Sequence, residues 1–398
     1  MDDAPVPDEP TSVGRFNEAA DRYYQVHPNV EHFSRKPFHN IEESGSILMR
    51  LGIIMQNLHV GAAHTVLDFG AGSCWLALLL NKLGIATVSV DVSATALAMG
   101  RALFEKDPFT NRNVDARFLV FDGYRIDLPD RSVDRVICFD AFHHLPNPAT
   151  VLGELARVLV DGGIAAFAEP GEQHSEAVQS RHEAAQFGVL ENDVNLRDLW
   201  PDASAAGFTD MKVGALVDAH SMLLDLDSFL AYREWANESF PHESNRYWLR
   251  GGQVFFLHKG AFALDTAGPG RLVADLRWSS PLAAGSRPGM RLPFAVEARN
   301  TSETLWKARR NPRGGFVQLG VHLFEVDADG GETLRDYDFL RVPLPRDVRP
   351  GDSALLSGVI VAPELAGSYL LTLDMVDEGV KWFAQDGSVE LKSPLDVG

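Results

Sequence analysis

The run Thr65-Val66-Leu67-Asp68-Phe69-Gly70-Ala71-Gly72-Ser73-Cys74-Trp75 passes from an apolar strand pattern, through a glycine turn, into an apolar helical pattern. Glycine tolerates positive φ and lets backbone approach a ligand, while the first helical turn carries N–H groups with no partner inside the helix. A strand, a glycine turn and a helix in this order build a ligand cradle. The spacing follows a dinucleotide fingerprint only as far as Gly72, because the third glycine position of that fingerprint holds Trp75. Asp68, at the strand end, repels phosphate and attracts an ammonium. The cradle therefore reads as one for a cationic, amino-acid-bearing ligand rather than a pyrophosphate.

Outward from this stretch, short apolar runs recur at 86–91, 116–122, 133–139 and 163–169, with helical patterns at 75–83, 95–105 and 149–159. Strands alternating with helices predict a parallel sheet covered on both faces. Ligands on such sheets bind beyond the carboxyl ends of the strands. Asp68, Asp91, Asp122 and Asp140 all fall at such ends. Asp91 suits ribose hydroxyls, and Asp122-Gly123 suits an adenine amino group, although Asp-Gly is also a common turn. Helical segments follow at 173–187, 196–206 and 226–236, with strands at 208–217 and 253–259.

Residues 1–12 read as a disordered tail and 13–59 as a helical cap to a first domain ending at 262. Residues 263–270 read as a linker. From 271 to 398 strand patterns recur at 271–278, 291–299, 316–326, 333–342, 353–361, 368–376 and 380–384, separated by Pro288-Gly289, Asp329-Gly330-Gly331, Pro350-Gly351 and Asp386-Gly387. Many short strands without helices predict a β-sandwich.

The 398 residues carry 36 Lys plus Arg against 55 Asp plus Glu, a net charge of −19. Such a chain repels nucleic-acid phosphates and anionic lipid, and the one dense basic stretch, 307–313, is short and interrupted. Cys74 and Cys138 are too few for a disulfide framework and read as buried, reduced thiols of a cytoplasmic protein. The opening MDDAPVPDEP is acidic and Pro-rich, unlike a signal peptide.

The ordered series VLDFGAGSCW, VSVDVS, FDGYRIDLPDRSVDRVICFDAFHHLPNP and VLVDGGIAAFAEPG, over roughly 60–175, resembles class I S-adenosylmethionine-dependent methyltransferases. The resemblance implies a Rossmann-like α/β domain with a seven-stranded, mostly parallel sheet over 13–262 and S-adenosyl-L-methionine as cofactor, released as S-adenosyl-L-homocysteine; the strand pattern after it is expected to form an immunoglobulin-like sandwich. It implies that Asp68, Gly70, Ala71 and Gly72 hold the methionine part, Asp91 and Val92 the ribose, Asp122 and Gly123 the adenine, and that Asp140 lines the site. The third glycine of the family is replaced by Cys74. The segments Glu169–Ser175 and Gly188–Asp193 resemble methyltransferases of bacterial surface-polysaccharide loci. Gly315–Leu323, Arg341–Pro345 and Asp374–Phe383 resemble sandwich modules of glycan-related enzymes.

The expected reaction is methylation of a sugar hydroxyl in a glycan or polysaccharide precursor. Alternatives are a small-molecule methyltransferase with a dimerising sandwich, or a non-catalytic glycan-binding scaffold. Histidine suits deprotonation of a hydroxyl at neutral pH. His174 is the first candidate base, and His143 and His144 come next, one of that adjacent pair being structural. Glu169 either binds acceptor hydroxyls or orients a histidine. Tyr23, Tyr24, His27 and His39 form either a lid or ordinary packing. Trp278 and Trp382 read as core, and Trp306, in a polar loop, as the better surface candidate for stacking on sugar. No His, Cys or Asp spacing calls for a metal, and neither nucleic acid nor membrane insertion is expected.

Overall fold

In the computed structural model, the helical cap of the first unit comprises α1 (Ser12–Val26), α2 (Val30–Phe33) and α3 (Ile41–Asn57). The residues described are 12–27, 30–214, 252–268, 270–283 and 285–398. The alternating part follows as β1 (Thr65–Phe69), α4 (Trp75–Lys82), β2 (Ala86–Asp91), α5 (Ala94–Lys106), β3 (Ala116–Val120), β4 (Val133–Phe139), α6 (Pro148–Val158) and β5 (Leu159–Pro170). Then come α7 (Val178–Phe187), α8 (Leu196–Ala206), β6 (Asp210–Gly214) and β7 (Gly252–His258).

These strands form one seven-stranded sheet in the order β3-β2-β1-β4-β5-β7-β6. Strands β1 to β5 pair in parallel, and β7 runs antiparallel to both β5 and β6. Every residue of β2 is buried, as continuous apolar runs require when helices cover both faces. Chain direction across the sheet reverses between β1 and β4, the place where open sheets of this kind bind ligands. Phe167 of β5 stacks on Phe255 of β7 at 4.7 Å, tying the antiparallel edge into the core.

The helix expected at 173–187 starts only at Val178; residues 173–177 form turns in which Ala177 N–H donates to the His174 carbonyl at 3.0 Å. The expected helix at 226–236 lies outside the described residues, as do residues 1–11 of the tail and 215–217 of the strand expected at 208–217.

The chain divides into two compact units, Val60–Ala63 with Ala263–Gly398 forming the second. Residues 263–268 are therefore part of that unit, where Asp265 bridges Leu305. Its strands are β8 (Ala274–Ser280), β9 (Gly285–Ser286), β10 (Arg291–Asn300), β11 (Val317–Val326), β12 (Glu332–Pro343), β13 (Ser353–Val361), β14 (Gly367–Asp377), β15 (Lys381–Trp382) and β16 (Leu391–Val397). They form two sheets, β13-β10-β8 and β12-β11-β14-β16-β9, with β15 pairing β14. One apolar core takes Val296 and Leu356 from the first sheet and Leu319, Leu371 and Leu395 from the second.

Trp306 corrects the expectation of a surface tryptophan. It is 0% exposed, packs edge-on against Phe383 at 5.2 Å, and its backbone bridges Val348. The polar neighbours that argued for exposure are satisfied inside the unit: the indole N–H faces Ser302 Oγ at 3.4 Å and Asn300 donates to the Val348 carbonyl.

Candidate active site

A cavity of about 570 Å³ opens at the carboxyl ends of β1 to β5. Its roof is α1, which presents Phe16, Asn17, Ala20, Tyr23 and Tyr24 at helical spacing. Asp21 anchors that helix by accepting from Ser93 Oγ at 2.8 Å and Thr95 N–H at 2.9 Å. Tyr23 and Tyr24 both line the cavity, and burial pushes both phenols up. His27 packs among Tyr23, Phe33 and Phe187, whereas His39 pairs with Glu43.

The glycine loop is shaped by close approach. A Cβ on Gly70, whose φ is +69°, would lie 2.2 Å from Ala141 Cβ, and one on Gly72 would lie 2.7 Å from Tyr24 Oη. Gly70 and Ala71 N–H both donate to the Val90 carbonyl at 2.8 and 3.1 Å, and Gly72 N–H to Asp91 at 2.7 Å. The loop thus offers a ligand its contour, its amides being used within the protein. Cys74 occupies the family's third glycine position with φ +58°, a left-handed conformation. Gly100 on α5 makes its side chain possible, since a Cβ there would lie 2.4 Å from Cys74 Sγ.

The acids of the strand ends divide into two sets. Asp91 and Asp140 line the cavity; Asp68 and Asp122 do not. Asp91 also accepts from Ser93 N–H at 2.8 Å, yet burial still holds its pKa above the ordinary value. Asp68 lies behind the loop and accepts from the Ala77 amide in the first turn of α4; burial pushes its carboxyl up to about 7. Asp122 accepts from Tyr124 and Arg125 N–H, both at 2.7 Å, and so caps a turn. Gly123 is buried with φ +94°, and its carbonyl accepts from Asn147 at 2.8 Å. Asp140, itself at φ +49°, binds Arg50 of α3 through both oxygens at 2.6 and 2.9 Å; despite burial, the guanidinium holds its pKa down.

The β4 and β5 ends carry the histidines. Glu169, 0% exposed, accepts from Ala141 and Phe142 N–H at 3.1 and 3.0 Å, and its second oxygen lies 2.8 Å from His143 Nδ1. It shapes the turn after β4 and orients a histidine, and it does not line the cavity. His143 and His174 both line the cavity with ring centres 4.9 Å apart. His174 Nε2 lies 2.7 Å from Glu191, a residue that sequence reasoning did not single out. Burial overcome by the Glu169 pairing leaves the His143 pKa raised, while burial and His143 push His144 down to about 4. His144 Nδ1 faces the Leu190 carbonyl at 2.5 Å. Arg50 and Asp21 were also missed; both act from helices that precede the first strand, where composition carries no mark of what a side chain reaches.

Residues 67–167 match the family described as "Methyltransferase domain". The chain is 27% identical over 164 residues to the ubiquinone biosynthesis O-methyltransferase of Nitrosomonas europaea, covering 41% of this chain and 63% of that protein. It is 31% identical over 120 residues to Methyltransferase GfsG of Streptomyces halstedii, covering 29% and 41% respectively. It therefore spans less than two thirds of the length of these curated relatives. The solved structure of Haemonchus contortus phosphoethanolamine N-methyltransferase 2 with S-adenosyl-L-methionine aligns at 19% identity and TM-score 0.43, covering 62% of this chain and 60% of that one. Residues 67–167 are a methyltransferase domain of the S-adenosylmethionine-dependent class, and S-adenosylmethionine is its cofactor. The cavity fits that group: glycines where a Cβ would collide, a buried ribose-suited carboxylate at the β2 end, and tyrosine rings in the roof. No described helix is long and apolar enough to cross a membrane.

Proposed function

We propose that the whole chain transfers a methyl group from S-adenosylmethionine to a hydroxyl oxygen of an acceptor. The observation that carries this reading is that Gly70 and Asp91 line the same cavity as His143 and His174. The cofactor supplies a methyl carbon already activated by its sulfonium. In this reading Asp91 accepts from ribose hydroxyls with Val92 beside it, while Gly70, Ala71 and Gly72 shape the methionine end. Asp68 supports the loop from behind, Gly123 and the Asp122 turn shape the adenine end, and Asp140 with Arg50 forms the wall. Tyr23 and Tyr24 present aromatic surface to a cation.

The residues of the β5 end position the acceptor, and alignment alone is worth about 7–11 kcal/mol in well-oriented reactions. A histidine there accepts the hydroxyl proton, adding roughly 10²–10⁴-fold. His174, paired with Glu191, and His143, held by Glu169, are the residues in reach of such a hydroxyl. O-Methylation is the activity named for several relatives. A sugar hydroxyl as acceptor and a glycan-binding role for an immunoglobulin-like second unit are the finer reading and rest on the sequence resemblance, with a dimerising second unit as the alternative; cytoplasmic location rests on the two reduced thiols.

Calorimetry with S-adenosylhomocysteine, followed by mass spectrometry of phenolic and sugar acceptors incubated with isotopically labelled donor, tests the proposal. Cofactor binding with label on an acceptor oxygen is the expected result. Absence of S-adenosylhomocysteine binding returns the chain to the scaffold reading.

A further inference from the structure

His143, His174 and Glu191 each bring one ligand atom into a space where all three atoms lie within 4.8 Å of one another. Glu191 Oε2 is 2.7 Å from His174 Nε2 and 3.7 Å from His143 Nε2, and all three residues line the cavity. We propose that this triad is a divalent-cation site of the two-histidine, one-carboxylate kind, with its open coordination positions facing the acceptor end of the cavity.

The support behind the triad is what such a site requires. A ligating histidine ordinarily gives its other ring N–H to a carboxylate, which fixes the tautomer and aims the free nitrogen. Glu169 does this for His143 at 2.8 Å, and Glu169 is itself held by the Ala141 and Phe142 amides. Nδ1–H is thereby committed to Glu169, and the Nε2 lone pair points to Glu191 and His174. The backbones that carry the ligands are tied together as well. Asn192 N–H donates to the His143 carbonyl at 3.0 Å, and Ser175 N–H to Asp193 at 2.8 Å.

Metal–ligand bonds of about 2.0–2.2 Å place neighbouring donors roughly 3–3.5 Å apart. The pair at 2.7 Å opens a little and the pair at 3.7 Å closes a little. Two imidazoles and a carboxylate suit zinc or ferrous, cobaltous and related ions rather than magnesium or calcium, which prefer oxygen. The charge also fits, since Glu169 and Glu191 balance a dication between neutral imidazoles.

The use of this site rests on the function proposed above. A cation in an open site lowers the pKa of a hydroxyl bound to it. His174 is then a ligand, not a base, and the hydroxyl proton leaves to solvent. The acceptor oxygen forms its bond to the methyl carbon as the carbon–sulfur bond breaks, and sulfur keeps the electron pair.

Chelator-treated full-length protein titrated with Co²⁺ tests the site through the visible d–d absorption of the bound ion, with Zn²⁺ as competitor. One equivalent that Zn²⁺ bleaches is expected, with His174→Ala and Glu191→Gln each weakening Co²⁺ at least tenfold and Glu169→Gln about tenfold through the tautomer. Melting curves establish that each variant is folded. No Co²⁺ or Zn²⁺ binding by the native chain overturns the proposal, as does binding that survives both His174→Ala and Glu191→Gln. Parallel calorimetry with S-adenosylhomocysteine separates the two readings: cobalt without the nucleoside keeps the metal site and removes the methyltransferase reading, and the reverse removes the metal site alone.

Discussion

Asp91 and Glu169 are both buried carboxylates at strand ends, and they are held in different ways. Asp91 accepts from the backbone amides of Gly72 and Ser93 at the β2 end. Glu169 accepts from the amides of Ala141 and Phe142 and pairs with the His143 ring at the β5 end. The donors around Asp91 are peptide groups of the glycine loop and of its own turn, so its surroundings are set by loop geometry. Those around Glu169 include a side chain whose far nitrogen approaches Glu191. One end of the cavity is thus a contour made by backbone, and the other is a side-chain relay.

The largest effect should come from breaking the relay. Glu169→Ala leaves the Ala141 and Phe142 amides and the His143 ring without their acceptor in a fully buried place. Removing one member of such a pair costs about 3–5 kcal/mol, measurable by denaturant unfolding. A loss below about 1 kcal/mol would mean that the turn after β4 holds itself and that the two ends are alike. Next, Asp91→Ala should weaken S-adenosylhomocysteine binding by about 10–100-fold, the value of one or two charge-assisted hydrogen bonds. Asp122→Ala, whose carboxylate caps a turn outside the cavity, should change it less than about threefold. Equal losses in calorimetry would erase the division between lining and supporting acids. Gly70→Ala tests the contour itself: with φ +69° and Ala141 Cβ at 2.2 Å, it should cost about 1–3 kcal/mol, and an unchanged melting curve would count against it.

The same contrast explains what could be read from the sequence. The backbone end was legible because its determinants are contiguous: an apolar run, Asp68, two glycines and a helix start fall within eleven residues. Asp91 was legible for the same reason, as the acid that closes an apolar run. Which acid faces the cavity was not, because Asp68 sits one residue before the end of β1 and accepts from Ala77, while Asp122 turns back onto its own loop. The relay was only half visible. His143, Glu169 and His174 stood out as titratable groups near strand ends, but Glu191 lies in a stretch legible only as a resemblance, with nothing to mark which side chain reaches the cavity, and Arg50 reaches the site from a helix that precedes β1. In the second unit strand rhythm was legible, while β9, β16 and the burial of Trp306 depend on pairings between distant segments.

A third buried carboxylate, Asp377 of β14, has neither solution. It is 1% exposed, and neither of its side-chain oxygens has a hydrogen-bond partner among the described residues. Burial pushes its pKa up to about 8 from 3.8, with Lys381 opposing and Asp265 and Glu378 reinforcing the rise. The folded chain therefore holds a proton that the unfolded chain has released between about pH 4 and pH 8. Across that window the unfolded state binds fewer protons, so stability falls as pH rises; the contribution of Asp377 is intact below pH 4 and lost above its folded value. Asp377→Asn removes the charge but leaves a buried polar group, so the gain should sit at the low end for such sites, roughly 1 kcal/mol. It should be present at pH about 9 and small at pH about 5 in denaturant unfolding. A gain of the same size at both pH values would mean that the carboxylate is not the cause. A loss at high pH would mean that Asp377, like Asp91 and Glu169, has donors around it after all.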